Sequence, residues 1–119
     1  MSVDARIKNA LSVFGYDISN SVSYAKEDTY FSFSYTVIPA DFGDDAPCHE
    51  RNLVTVNFFC PLNVNITSLK QRIRQRLYAA GFTWATIADA SDGNGRHTVF
   101  ECEDAEGVDV NGDDANLGV

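Results

Sequence analysis

Two alternating stretches joined by a long connection set the strongest limit on how this chain folds. In TYFSFSYTVI (29–38), Phe31, Phe33, Tyr35 and Val37 alternate with Tyr30, Ser32, Ser34 and Thr36. In NLVTVNFFCP (52–61), Val54, Val56, Phe58 and Cys60 alternate with Leu53, Thr55 and Asn57. A period of two gives each stretch one apolar face, which must be covered by another layer. The two strands are therefore expected to form one sheet with something packed against it. The loop PADFGDDAPCHER between them carries Pro39, Pro47, four acids (Asp41, Asp44, Asp45 and Glu50) and a single aromatic, Phe42. A connection of that length inside a compact domain usually serves a function or is disordered. This one reads as a contact surface.

Two helices are available as the cover. Val3, Ile7, Ala10, Leu11 and Phe14 recur at helical spacing over 3–14, with Ser2 as N-cap and Gly15 as stop. Leu69, Ile73, Leu77 and Ala80 do the same over 68–80, with Thr67 as N-cap and Gly81 as stop. Between the first helix and the long strands, 22–25 reads as a short edge strand. After the second helix, 82–91 and 96–104 read as two more strands around the hairpin turn Asp92-Gly93-Asn94-Gly95. Phe82, Trp84 and Ala88 are expected on one face with Thr98, Phe100 and Cys102.

The order is α-β-β-α-β-β, and the expected fold is α+β: a four-stranded, mainly antiparallel sheet with two helices on one face. Residues 1–105 are expected to form one domain. Residues 106–119 (EGVDVNGDDANLGV) are acidic, lack aromatics and are expected to be a flexible tail.

Charge narrows the function. The net charge is −8, yet residues 1–100 are nearly neutral, with nine basic against ten acidic residues, and seven acids lie in the last nineteen. A domain that reads nucleic-acid sequence needs a basic footprint, which is absent here. No apolar run is long enough to span a membrane, and the N-terminus lacks a hydrophobic signal core, so a cytoplasmic protein with no membrane partner is expected. Three widely spaced cysteines (Cys48, Cys60 and Cys102) with no CxxC pair are expected to be reduced.

Catalytic patterns are weak. Cys48, His49 and Glu50 are neighbours, but adjacent residues of an extended chain point opposite ways, whereas a nucleophile and its base must touch. The five Cys and His residues are too scattered for a structural zinc site. Asp109 to Asp113 begins like a calcium loop, yet the glycine at the sixth position and the glutamate at the twelfth are both missing. Asp41-Phe42-Gly43 matches a kinase triplet with none of the other kinase signatures around it. Neither an enzyme nor a cofactor is expected. The cations Lys70, Arg72, Arg74 and Arg76 flank the apolar stripe of the second helix in pairs spaced four apart. They read either as a solvated face or as a row that meets an acidic neighbour or passing DNA. Tyr30, Tyr78 and Phe42 have no core place, and exposed aromatics favour interfaces.

The stretch from Tyr24 to Pro61, the second helix and AAGFTWATIADASDGNGRHTVFECEDAEG together resemble the tail terminator, or tail completion, family of long-tailed bacteriophages and prophages. The resemblance covers roughly residues 5–107, including two long strands ending in Phe58-Phe59-Cys60-Pro61. It implies a virion protein assembled in the host cytoplasm. Such a protein forms a ring, commonly a hexamer, on the head-proximal end of the tail tube, stops tube growth and offers a surface to the head connector. Its partners would be copies of itself, the tube protein and the connector or stopper proteins, with DNA passing through the lumen unread. The resemblance implies that the loop 39–52 is a contact element. The loop residues Asp41, Phe42, Asp44, Asp45, His49, Glu50 and Arg51 and the helix residues Lys70, Arg72, Arg74, Arg76 and Tyr78 then form the two candidate edges. The alternatives are another neck or connector protein, or a small cytoplasmic ligand-binding or regulatory domain.

Overall fold

The protein is described by a computed structural model covering residues 2–20, 28–39 and 50–105. The first helix, α1 (Val3–Leu11), starts where Ser2 accepts a hydrogen bond from Ala5 N at 3.1 Å. It buries Ile7, Ala10 and Leu11. The chain then tightens into a 3-10 turn, Ser12–Phe14, and stops at Gly15. Gly15 has φ +80°, and a side chain there would meet nothing within 4 Å. Backbone conformation, and not crowding, therefore requires the glycine.

Five strands follow, one more than expected: β1 (Asp17–Asn20), β2 (Tyr30–Pro39), β3 (Glu50–Cys60), β4 (Thr86–Asp89) and β5 (Arg96–Glu103), in the order β1-β2-β3-β5-β4. β1 runs parallel to β2 and the other pairs are antiparallel, so the sheet is mixed. The sequence DISN hides this strand, because four residues are too few to show a period and Asp and Asn disfavour strands. The edge strand expected at 22–25 lies outside the described residues. The expected 82–91 strand shrinks to β4. Phe82 makes a single bridge to Asp104, and Thr83 is tied to Glu103 by Thr83 N→Glu103 O (2.7 Å) and Glu103 N→Thr83 Oγ1 (3.1 Å).

Register assigns the faces. Phe31 sits opposite Phe58, Phe33 opposite Val56, Val56 opposite Phe100, and Val54 opposite Cys102. These side chains point at the helices and join Ile7, Leu11, Ile73 and Leu77 in one buried cluster. The core expectation fails for two residues: Ala88 pairs with Val99 on the outer face and Trp84 is 46% exposed, while Ala85 and Ile87 take the core places expected of Trp84 and Ala88.

The second helix, α2 (Thr67–Ala79), ends as the sequence implies. Gly81 has φ +100°, Phe82 N reaches Leu77 O, and Gly81 N reaches Tyr78 O, which together form a Schellman stop with Phe82 packed into the core. Its start differs from expectation. Thr67 is the first helical residue, and Asn65 Oδ1 accepts from Thr67 N at 2.9 Å.

One buried polar network ties α1 to the end of β5. Arg6 pairs with Asp104 at 2.8 Å, donates to Ala80 O at 3.2 Å, and lies 4.1 Å above the centre of the Phe82 ring. Asp104 Oδ2 also accepts from Asn52 N (2.7 Å) and Asn52 Nδ2 (2.9 Å).

Candidate interaction surfaces

The ladder between β2 and β3 runs on to Pro39 opposite Glu50, so the connection between these strands is 40–49. Glu50 and Arg51 therefore belong to a strand and not to the loop. Arg51 pairs with Glu103 at 2.9 Å, on the sheet face away from the helices. The other loop candidates, Asp41, Phe42, Asp44, Asp45 and His49, lie outside the described residues, as does Cys48. The strands holding the loop form an arm. β5 is laddered only as far as Leu53, with one further bond from Asp104 N to Asn52 O, and β1 pairs with β2 only as far as Phe33. The pairs Ile38–Arg51 and Pro39–Glu50 continue past the sheet body, by about 7 Å at the usual rise per residue. Val37, at the base of this arm opposite Asn52, is 48% exposed.

The helix candidates divide by what they touch. Arg76 reaches across to α1, donating to Ala10 O (3.0 Å) and Asn9 O (3.3 Å) in its last turn, at the negative end of the helix dipole. Arg74 donates to Ala85 O at 2.8 Å and lies 5.2 Å from the centre of the Trp84 ring. Both are occupied within the domain. Arg72 is exposed, 5.3 Å over the Phe14 ring, and Lys70 is half-buried. Tyr78 is 59% exposed and meets Trp84 edge-on at 5.7 Å. Of the row, Arg72 and Tyr78 face outward most. Arg76→Gln is expected to destabilise the domain by about 1–2 kcal/mol, because charged donors leave the α1 carbonyls. Urea unfolding of the two proteins measures it.

A third surface escapes sequence reasoning. On the outer face of the sheet, Tyr30 stacks on Phe59 (4.6 Å between ring centres, 18° apart) and Phe59 on His97 (4.2 Å, 24°), a ladder of three rings across β2, β3 and β5. The available signal is the presence of aromatic residues at the polar parity of their strands. The ladder borders an open groove of about 550 Å³ that also takes in Asp28, Asp92 and Arg96. His97 Nε2 lies 2.8 Å from Asn57 Oδ1, so the tautomer protonated at Nε2 donates there.

Burial lowers the pKa of His97, against the pull of Asp92 and Asp89, so the folded protein favours the neutral ring. The unfolded chain then binds the proton more readily. The contribution of His97 to stability is present above its ordinary pKa and is lost as pH falls. Below about pH 6.5 His97→Phe, which keeps a ring in the ladder, is expected to lose less stability than the parent does. Unfolding midpoints at neutral and mildly acidic pH check this.

The buried thiols are unreactive by environment. Burial pushes Cys102 up to about 12, and it also raises Cys60, with Arg96 opposing. Among the described residues, no three His, Cys, Asp or Glu side chains gather where they could hold a metal ion. No described helix is long and apolar enough to cross a membrane.

No family model and no curated protein matches the chain. Solved structures do match. One of them is 15% identical, covers 87% of this chain and 94% of its own, and superposes with a TM-score of 0.55. At that identity the likeness shows the fold alone. This two-helix, one-sheet α+β architecture is thus shared with a protein of almost the same extent.

Proposed function

We propose that this protein is a tail terminator: a subunit of a ring that caps the head-proximal end of a phage tail tube, halts tube growth and presents the joining surface to the head connector. The resemblance of residues 5–107 to that family motivates the reading. The observation that carries it is the β2–β3 arm, whose ladder continues beyond the rest of the sheet and ends at Pro39 and Glu50, the two residues that bracket the acidic 40–49 stretch of the sequence. A subunit that closes a ring needs two different, complementary edges. The acidic connection supplies one edge and the outward residues of α2, Arg72 and Tyr78, the other. Charge sets the register of such a contact, and the aromatics Phe42 and Tyr78 anchor it.

Asp44→Lys combined with Asp45→Lys is expected to abolish ring formation and to release tube length. Electron microscopy of tubes assembled with the variant and with the parent reads this directly, and unchanged rings and lengths would strip the loop of its role. The groove beside the aromatic ladder favours a second reading, a small-ligand-binding domain, since its volume falls in the range of ligand pockets. Light scattering separates the two: a ligand-binding domain stays a monomer or dimer in the presence of tail tubes.

A further inference from the structure

Both helices pack on one side of the sheet, and no described helix or strand covers the other side. Five strands about 4.8 Å apart, with lengths averaging about 25 Å, make a face on the order of 600 Å², close to the roughly 800 Å² of accessible surface per partner that a stable contact needs. The face has the composition of a seat. Ser34, Thr36, Thr55 and Thr86 give it a short-chained polar floor, and the Tyr30–Phe59–His97 ladder walls one end.

Its charge is negative. Asp17, Glu101 and Glu103 stand there against Arg51, which is already paired with Glu103, and both Asp17 and Glu101 are exposed. The helix layer on the opposite side has the reverse sign, since α2 (TSLKQRIRQRLYA) carries four cations and no acid. Its outward line runs through Ser68, Arg72, Gln75 and Tyr78, all exposed.

We propose that the outer sheet face of one copy seats α2 of the next, with Arg72 meeting Glu101. The contact is head-to-tail, because its two halves lie on opposite sides of a two-layer domain, and it repeats from copy to copy until the rotation closes. The proposal deepens the ring reading and rests on it: the edge that receives the outward residues of α2 is widened from the acidic connection to the outer sheet face.

Paired cysteines test it. In a Cys48→Ser background, protein carrying Glu101→Cys is mixed with protein carrying Arg72→Cys under mild oxidation, both free in solution and on tail tubes. Circular dichroism checks that each variant is folded. A disulfide-linked dimer is expected from the mixture and from neither protein alone. A chain carrying both substitutions is expected to give a ladder of covalent multimers. A dimer from the Glu101→Cys protein alone would mean that the sheet faces pair with each other, and it would overturn the proposal. So would the absence of any cross-link in folded variants under both conditions. Tube length, measured in parallel with the parent protein, keeps the two claims apart: capped tubes without the cross-link sink the seat and leave the terminator reading standing, while the cross-link without capping does the opposite.

Discussion

Asp104→Ala is expected to cost about 3–5 kcal/mol of stability, the usual loss when one partner of a buried ion pair is removed. Asp104 has 5% of its side chain exposed and Arg6 13%, so the guanidinium left behind keeps little water. The carboxylate does more than neutralise Arg6. It holds both the backbone and the side-chain amide of Asn52 where β3 passes out of the sheet body toward the arm. Three elements therefore loosen together. Replacing the pair jointly, with Arg6→Met and Asp104→Leu, is expected to cost less than the two single changes summed, because no charge is then stranded. Urea unfolding of the four proteins measures both the loss and the coupling. Equal and additive small losses would mean that the network contributes little.

Phe58→Ala is expected to cost a similar about 3–5 kcal/mol by opening a cavity at the centre of the core. Phe58 is 1% exposed, 4.9 Å from the Phe31 ring centre and 5.7 Å from that of Tyr16. Its neighbour Phe59 faces the other way and meets only the two rings of the ladder among described ring partners. Phe59→Ala is accordingly expected to cost about 1 kcal/mol, the scale of aromatic pairing on a half-buried surface. Two adjacent phenylalanines with such unequal effects would verify the assignment of faces. Thermal or urea unfolding of each variant decides it, and equal losses would mean that the outer face is as buried as the inner one.

The legible parts of this fold are those where periodicity and punctuation agree. The alternation of Phe31 and Phe33 with Ser32 and Ser34 places β2, and the run from Val54 to Cys60 places β3. Ser2, Gly15 and Gly81 mark helix ends by elementary backbone chemistry, and each does so in the structure. Sequence reasoning fails where tertiary context decides. β1 exists because the first residues of β2 offer a free edge, which nothing within DISN announces. Trp84 looks like core by parity, but 83–85 leave the strand to bond with Glu103 and Arg74, so the parity rule does not apply there. The α2 cations illustrate the same limit. Their spacing implies one free row, whereas Arg74 and Arg76 are held by carbonyls from distant parts of the chain. Asp104 reads as one acid of a charged tail and is instead the most enclosed carboxylate among the described residues.

Tail-tube length is the property on which the proposed function stands or falls. Tubes assembled from purified tube protein are imaged with this protein present and absent. Tubes of fixed length bearing a ring at one end are expected when it is present, and tubes of unregulated length without rings when it is absent. Identical length distributions, with no added density at either end, would contradict the terminator role.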